Sequence, residues 1–207
     1  IRGYKMTNQN LFLEIEKHLL EDVKPSIFLN KIKNEESFKN SSFNIFNQLN
    51  KENQIHESNP WTHTLNVVDL ASKYKDLSNN PKAFMWAALF HDIGKIRTLN
   101  PIHDRVGGEI TRRLLREYSD DTSLNEKIIS LVKHHSAPIF IINRVSYSII
   151  DLINTADIHD VALLSLCNRL GNLSSKNKDL EKNLLDSNKF LKIMSNKTSL
   201  PLKEIIV

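Results

Sequence analysis

His91 and Asp92 close an apolar run, Ala87-Ala88-Leu89-Phe90-His91-Asp92, and Ile93-Gly94-Lys95 follows at once. An imidazole beside a carboxylate at the end of a helix that should be buried is costly unless something satisfies both, and a bound cation does so. The chain has eight histidines, so the question is which of them can converge. His63 lies upstream, and His103 and the pair His134-His135 lie downstream, each at the end of an expected helix or on an amphipathic one. A helical bundle can gather such residues from different helices into one site. Imidazoles with a carboxylate suit manganese, iron, nickel, cobalt or zinc. A carboxylate such as Asp92 can bridge two ions, and ions held that way activate water and polarise a phosphoryl oxygen. Lys95, three residues past Asp92, can reach a phosphate as a point charge, and Arg105 and Arg169 can do the same.

The dipeptide His-Asp also occurs at His103-Asp104 and His159-Asp160. These two stand among polar residues and read as solvated surface pairs; only His91-Asp92 ends an apolar helix. Cys167 reads as a small core residue, with no basic partner near it in sequence.

The elements that must position these groups are helical. Leu11, Ile15 and Leu19 share one face, and Pro25 ends that helix. Residues 26–50 read as short helices. Asn59-Pro60 and Asn80-Pro81 each pair an N-cap with a proline at the first helical position. The second of these helices runs to a stop near Gly94. Residues 104–118 form another helix. Ser123-Leu124-Asn125-Glu126 has a capping-box pattern and opens a helix that delivers His134 and His135 before Pro138 breaks it. Helices over 144–154 and 157–172 follow, with a helical patch near 184–194.

The fold class is therefore all-α, a single-domain helical bundle. The 207 residues suit one good core. The expected division is an N-terminal helical segment over 1–39, a metal-binding helical domain over 40–175, and a C-terminal helical tail over 176–207 packing on the same domain. One cysteine excludes an internal disulfide and fits a reducing compartment. The apolar stretches fall short of the roughly 20 residues a membrane span needs. The first six residues lack a signal-peptide core, with Met6 the expected native start. A cytoplasmic protein without a membrane partner is expected. The net charge of +4 suits an anionic substrate, but no dense basic stripe interleaves with aromatics.

The stretches Trp61-Thr62-His63-Thr64, Leu89-Phe90-His91-Asp92-Ile93-Gly94-Lys95 and His103-Asp104-Arg105-Val106-Gly107-Gly108 resemble the HD-domain metal-dependent phosphohydrolase superfamily. The resemblance is closest to the HD domain attached to some bacterial tRNA nucleotidyltransferases. It extends to residues 54–60, which include His56, and to Lys133-His134-His135, and covers about residues 40–172. It implies an all-α bundle with metal ligands His63, His91 and Asp92 and a late aspartate ligand. Aligning on Leu170-Gly171 puts that ligand at Asn168, a departure from the family pattern; Asp157, about three helical turns earlier, is the other candidate. His103, His134 and His135 correspond to second-metal ligands in two-metal members. The Gly-Ser signature and paired carboxylates of a nucleotidyltransferase head are not found in this sequence.

The expected function is hydrolysis of a phosphomonoester or phosphodiester of a nucleotide or RNA end, using one or two divalent ions (Mn, Fe, Ni, Co, Zn or Mg). Asp92, Lys95, His103 and His134 are the expected catalytic residues, and Lys95, Arg105 and Arg169 hold the phosphate. The alternative is a metal-impaired module that binds RNA or a protein without catalysis.

Overall fold

A computed structural model describes residues 8–50, 59–98, 102–172 and 179–207. His56 and the rest of 54–58 lie outside the described residues. Among those described there are eleven α-helices and no strand. In chain order the helices are α1 (Asn8–Glu21), α2 (Pro25–Ile32), α3 (Glu36–Lys39), α4 (Pro60–Tyr74), α5 (Pro81–Phe90) and α6 (His103–Tyr118). They continue as α7 (Thr122–His134), α8 (Ala137–Ile142), α9 (Ile149–Thr155), α10 (Ile158–Gly171) and α11 (Leu180–Thr198). No helix among the described residues is long and apolar enough to cross a membrane.

The two Asn-Pro starts form as the sequence implies. The Asn59 side chain accepts from Trp61 N–H at 2.9 Å, and Asn80 accepts from Ala83 N–H at 2.9 Å. The start of α7 differs: Asp121, not Ser123, is the cap, accepting from Leu124 N–H at 2.9 Å. Asn125 at the third position of that pattern is instead buried and donates its amide to Ser119 O. A short additional helix, α8, begins at Ala137, because Pro138 stops one helix and starts the next. The helix expected over 144–154 begins later, at Ile149.

Helix α5 is the axle of the bundle. Every residue from Ala83 to Phe90 is buried, as befits a helix apolar on all sides. Helices α1, α4, α7 and α10 all pack on it. One side is wrapped by aromatic rings: Phe12 stacks on Trp86 at 4.4 Å and Trp86 on Phe90 at 5.4 Å. The Trp86 indole donates to Glu16 Oε2 at 3.0 Å, so the ring's one polar atom is satisfied. The helix ends at Phe90, and His91 and Asp92 follow it, buried in the interior. A 3₁₀ turn, Ile93–Ile96, follows them and lies against α6.

The remaining helices are tied to the same core. Leu11, Phe12, Ile15 and Leu19 of α1 are buried in it, as are Phe190, Leu191 and Met194 of α11. Asp160 anchors the turn before α5, accepting from Asn79 N–H (2.8 Å), Asn80 N–H (3.2 Å) and Ser78 Oγ (3.0 Å). Asp160 is thus a buried loop clip and not half of a solvated surface pair, with His159 half-buried beside it.

Candidate metal centre

His91 and Asp92 meet His63, carried on α4, beside the end of α5. His91 Nε2 lies 3.3 Å from His63 Nε2 and 3.2 Å from Asp92 Oδ2; His63 Nε2 lies 3.5 Å from the same Oδ2. Asn168, from α10, completes the group with its Oδ1 2.9 Å from His63 Nε2. Asp157 is not a competitor for this place. It caps α10, accepting from Asp160 N–H, and also accepts from the Asn79 side chain.

The opposite oxygen of Asp92 faces a second group. His103 Nε2 is 3.6 Å and His135 Nε2 3.8 Å from Asp92 Oδ1. Asp104 joins them, its Oδ1 2.8 Å from His103 Nε2 and 3.6 Å from His135 Nε2. A cation about 2.1 Å from four tetrahedral donors spaces them roughly 3.4 Å apart. Both groups have nearly that spacing, and Asp92 stands between them with one oxygen turned to each. Asp104 was read from sequence as half of a surface pair. It is 5% exposed and belongs to the centre.

Two of the imidazoles are fixed as metal ligands usually are. His91 Nδ1 lies 2.9 Å from Ala88 O, and His135 Nδ1 lies 2.7 Å from Val132 O. A carbonyl oxygen only accepts, so each Nδ1 carries the proton and each Nε2 presents a lone pair inward. Burial pushes the His91 imidazole pKa down, which favours this neutral form. Burial works against the Asp92 charge, but His91 and the Lys95 ammonium beside it outweigh that and hold its carboxyl well below the usual range. Lys95 Nζ is 2.9 Å from Asp92 Oδ2. Asp104 is also lowered despite its burial, by His135 and His103.

A divalent cation fits this donor set. Asp92 Oδ1 and His135 Nε2 are buried and have no hydrogen-bond partner, a state that costs free energy unless another ligand is supplied. The floor is sealed, with the side chains of His91, Asp92 and His135 at most 2% exposed. The rim is open, with His63 at 11%, His103 at 14% and Lys95 at 25%. Access is therefore from the side carrying Lys95.

Close backbone contact sets these distances. A Cβ on Gly94 would sit 1.9 Å from His103 O and 2.6 Å from Gly107 N. Only glycine lets the turn after Asp92 touch the start of α6 and bring His103 and Asp104 alongside. A Cβ on Gly171 would lie 2.6 Å from the Val67 side chain, so that glycine lets α10 approach α4 and Asn168 reach His63.

Three expected site residues are placed otherwise. His134, expected as a metal ligand and catalytic residue, turns away from its neighbour His135. Tyr147 Oη lies 2.7 Å from its Nδ1 and Thr155 Oγ1 lies 3.1 Å from its Nε2. The Thr155 hydroxyl donates to Asp151 O, so it accepts from His134 Nε2–H, and the Tyr147 hydroxyl donates to Nδ1. Both ring nitrogens are committed, and burial lowers the pKa to about 4. Arg169 is ion-paired with Asp186 of α11 at 2.6 Å, which draws it to the α10–α11 contact. Arg105 is exposed on the first turn of α6. Cys167 is fully buried, and burial raises its pKa, as a core residue should.

Comparison with known proteins bears on this arrangement. The sequence model described as the HD domain matches residues 61–184, more than half of the 207-residue chain. The chain is also similar to two proteins named Multifunctional CCA protein, from Actinobacillus pleuropneumoniae serotype 5b (strain L20) and serotype 7 (strain AP76). Each is 29% identical over 98 residues, covering 44% of this chain and 24% of the relative. The matched region thus spans about a quarter of the length of these curated relatives.

Proposed function

The chain belongs to the HD domain family, and we propose that it is a metal-dependent phosphohydrolase acting on a phosphomonoester or phosphodiester of a nucleotide or RNA end. The observation that carries this reading is Asp92, a buried carboxylate with each oxygen facing its own pair of imidazoles, His63 with His91 and His103 with His135. A divalent cation held there would lower the pKa of a water and polarise a phosphoryl oxygen. The likeness to the Multifunctional CCA proteins supports an RNA or nucleotide end as the substrate class.

The chain's own residues divide the work. His63, His91, Asp92, Asn168, His103 and His135 would hold one or two ions of manganese, iron, nickel, cobalt, zinc or magnesium. Lys95, at the open rim, is within reach of both Asp92 and an incoming phosphate; on substrate binding its ammonium would shift from carboxylate to phosphoryl oxygen. Arg105, exposed two residues beyond His103 on the first turn of α6, would add positive charge to the surroundings of the site without reaching into it. His103 at the rim, held by Asp104, is placed to give a proton to the leaving oxygen where it is not engaged with an ion. The lone buried cysteine supports a cytoplasmic setting.

The test is elemental analysis of purified protein, followed by a phosphatase and phosphodiesterase screen with Mn, Ni, Co and Mg on nucleoside monophosphates, 2′,3′-cyclic nucleotides and RNA ends. Bound transition metal with activity lost in His91→Ala and Asp92→Ala is the expected result. One observation favours a second reading, a binding module without catalysis. Asn168 supplies a neutral amide where a carboxylate would bind a cation better, and its Oδ1 lies against His63 Nε2. Metal-free protein, inactive with every ion, would favour that reading.

A further inference from the structure

The two halves of the centre are unequal in charge. The half formed by His63, His91 and Asn168 holds one carboxylate oxygen, Asp92 Oδ2, and that oxygen is already 2.9 Å from the Lys95 ammonium. The half formed by His103 and His135 holds two carboxylates. Asp104 Oδ1 lies 3.6 Å from His135 Nε2, and Asp92 Oδ1 faces the same space with no hydrogen-bond partner. His135 Nε2 is equally unpartnered and almost fully buried. A divalent cation gains more from two anionic oxygens than from one oxygen shared with a lysine and a neutral amide.

We infer that Asp104 is a metal ligand and that the first divalent cation bound sits between His103, Asp104, His135 and Asp92, with the half containing Asn168 filled second. This rests on the reading of the cluster as a metal centre and adds its order of loading. Asp104 supplies on one side the negative charge that Asn168 does not supply on the other. Lys95 reinforces the asymmetry, because its ammonium must leave Asp92 Oδ2 before a cation can use that oxygen fully.

Cobalt(II) is a suitable probe. Full-length protein stripped with chelator would be titrated by calorimetry, and crystals carrying one equivalent of cobalt would be mapped at the cobalt absorption edge. The expected anomalous peak lies between His103, Asp104 and His135. Asp104→Asn should weaken the first equivalent at least about tenfold. Asn168→Asp should tighten the second equivalent and leave the first within about twofold. If Asp104→Asn does not fold, the wild-type map and the Asn168→Asp titration still decide the matter. A first peak beside His63 and His91, equal peaks at one equivalent, or an unchanged first Kd in Asp104→Asn overturns the order of loading and leaves the hydrolase reading standing. Wild-type protein that binds no cobalt at millimolar concentration overturns both.

Discussion

His134 and His135 are neighbours in the chain with opposite surroundings, and substitution should separate them. His135 offers a bare Nε2 to the centre, whereas His134 links Tyr147 to Thr155. His134→Ala should cost about 1–3 kcal/mol of stability, because the Tyr147 hydroxyl loses its acceptor, and should leave bound metal unchanged. His135→Ala should remove metal at little cost to the metal-free protein. Urea unfolding with and without chelator, together with elemental analysis, reads both; metal loss in His134→Ala would show that its ring is wrongly placed here. The pair also marks what the sequence could disclose. Lys133-His134-His135 signals a site, but which ring points inward depends on where α7 ends and on Tyr147 and Thr155, residues 12 and 20 positions downstream of His135. The same limit hid Asp104. Its neighbours in sequence are polar, and its burial comes from the approach of Gly94, which no local pattern announces.

Helix placement is set by a few contacts that can be tested singly. Gly171→Ala would drive a methyl group into Val67 and separate α10 from α4. It should destabilise by about 1–3 kcal/mol and weaken the cation held beside Asn168; adding Val67→Ala should restore most of the loss in urea unfolding. Lys33, at the end of α2, illustrates a charge that the packing tolerates at a cost. It is 6% exposed with its ammonium 4.2 Å from the Trp61 ring, and burial lowers its pKa to about 8. Unfolded, it titrates near 10.5. Between these values the unfolded chain holds a proton that the folded chain has released, so this group's contribution to stability rises with pH across the window; below pH 8 its full cost is present. Part of that cost is offset by the ring. Lys33→Met should therefore stabilise by about 1–2 kcal/mol at pH 7, and the gain should vanish by pH 10.5. Chemical unfolding of both proteins at these two pH values measures it, and a constant difference would exclude titration of Lys33 as the cause. Elements such as α4 and α5 are legible in sequence because Asn-Pro sets both cap and first turn locally. The start of α7 is not, because Asp121 and Ser123 offer competing caps, and Asp121 takes the role by accepting from Leu124 N–H.

The centre draws its donors from α4, α6 and α10 and from the residues just past the ends of α5 and α7, segments spread from His63 to Asn168. The family match covers this span, and the all-α class followed from helical periodicity and caps alone, but the joining of these segments is a property of the whole molecule. Metal-free, the core keeps a carboxylate oxygen and an imidazole nitrogen buried without partners. That is a standing cost which a ligand binding only the folded chain removes by mass action. At a free cation concentration 100 times Kd the stabilisation is about 2.7 kcal/mol. For a chain of this size each kcal/mol raises Tm by about 2–4 °C, so chelator should lower Tm by roughly 5–10 °C and cobalt or manganese should restore it. Asp92→Ala should abolish this response, because both halves of the centre depend on that one carboxylate, whereas Asn168→Ala should keep most of it. Scanning calorimetry across these three proteins separates the possibilities: a full metal response in Asp92→Ala would mean that the cation stabilises the bundle from somewhere other than the junction of its helices.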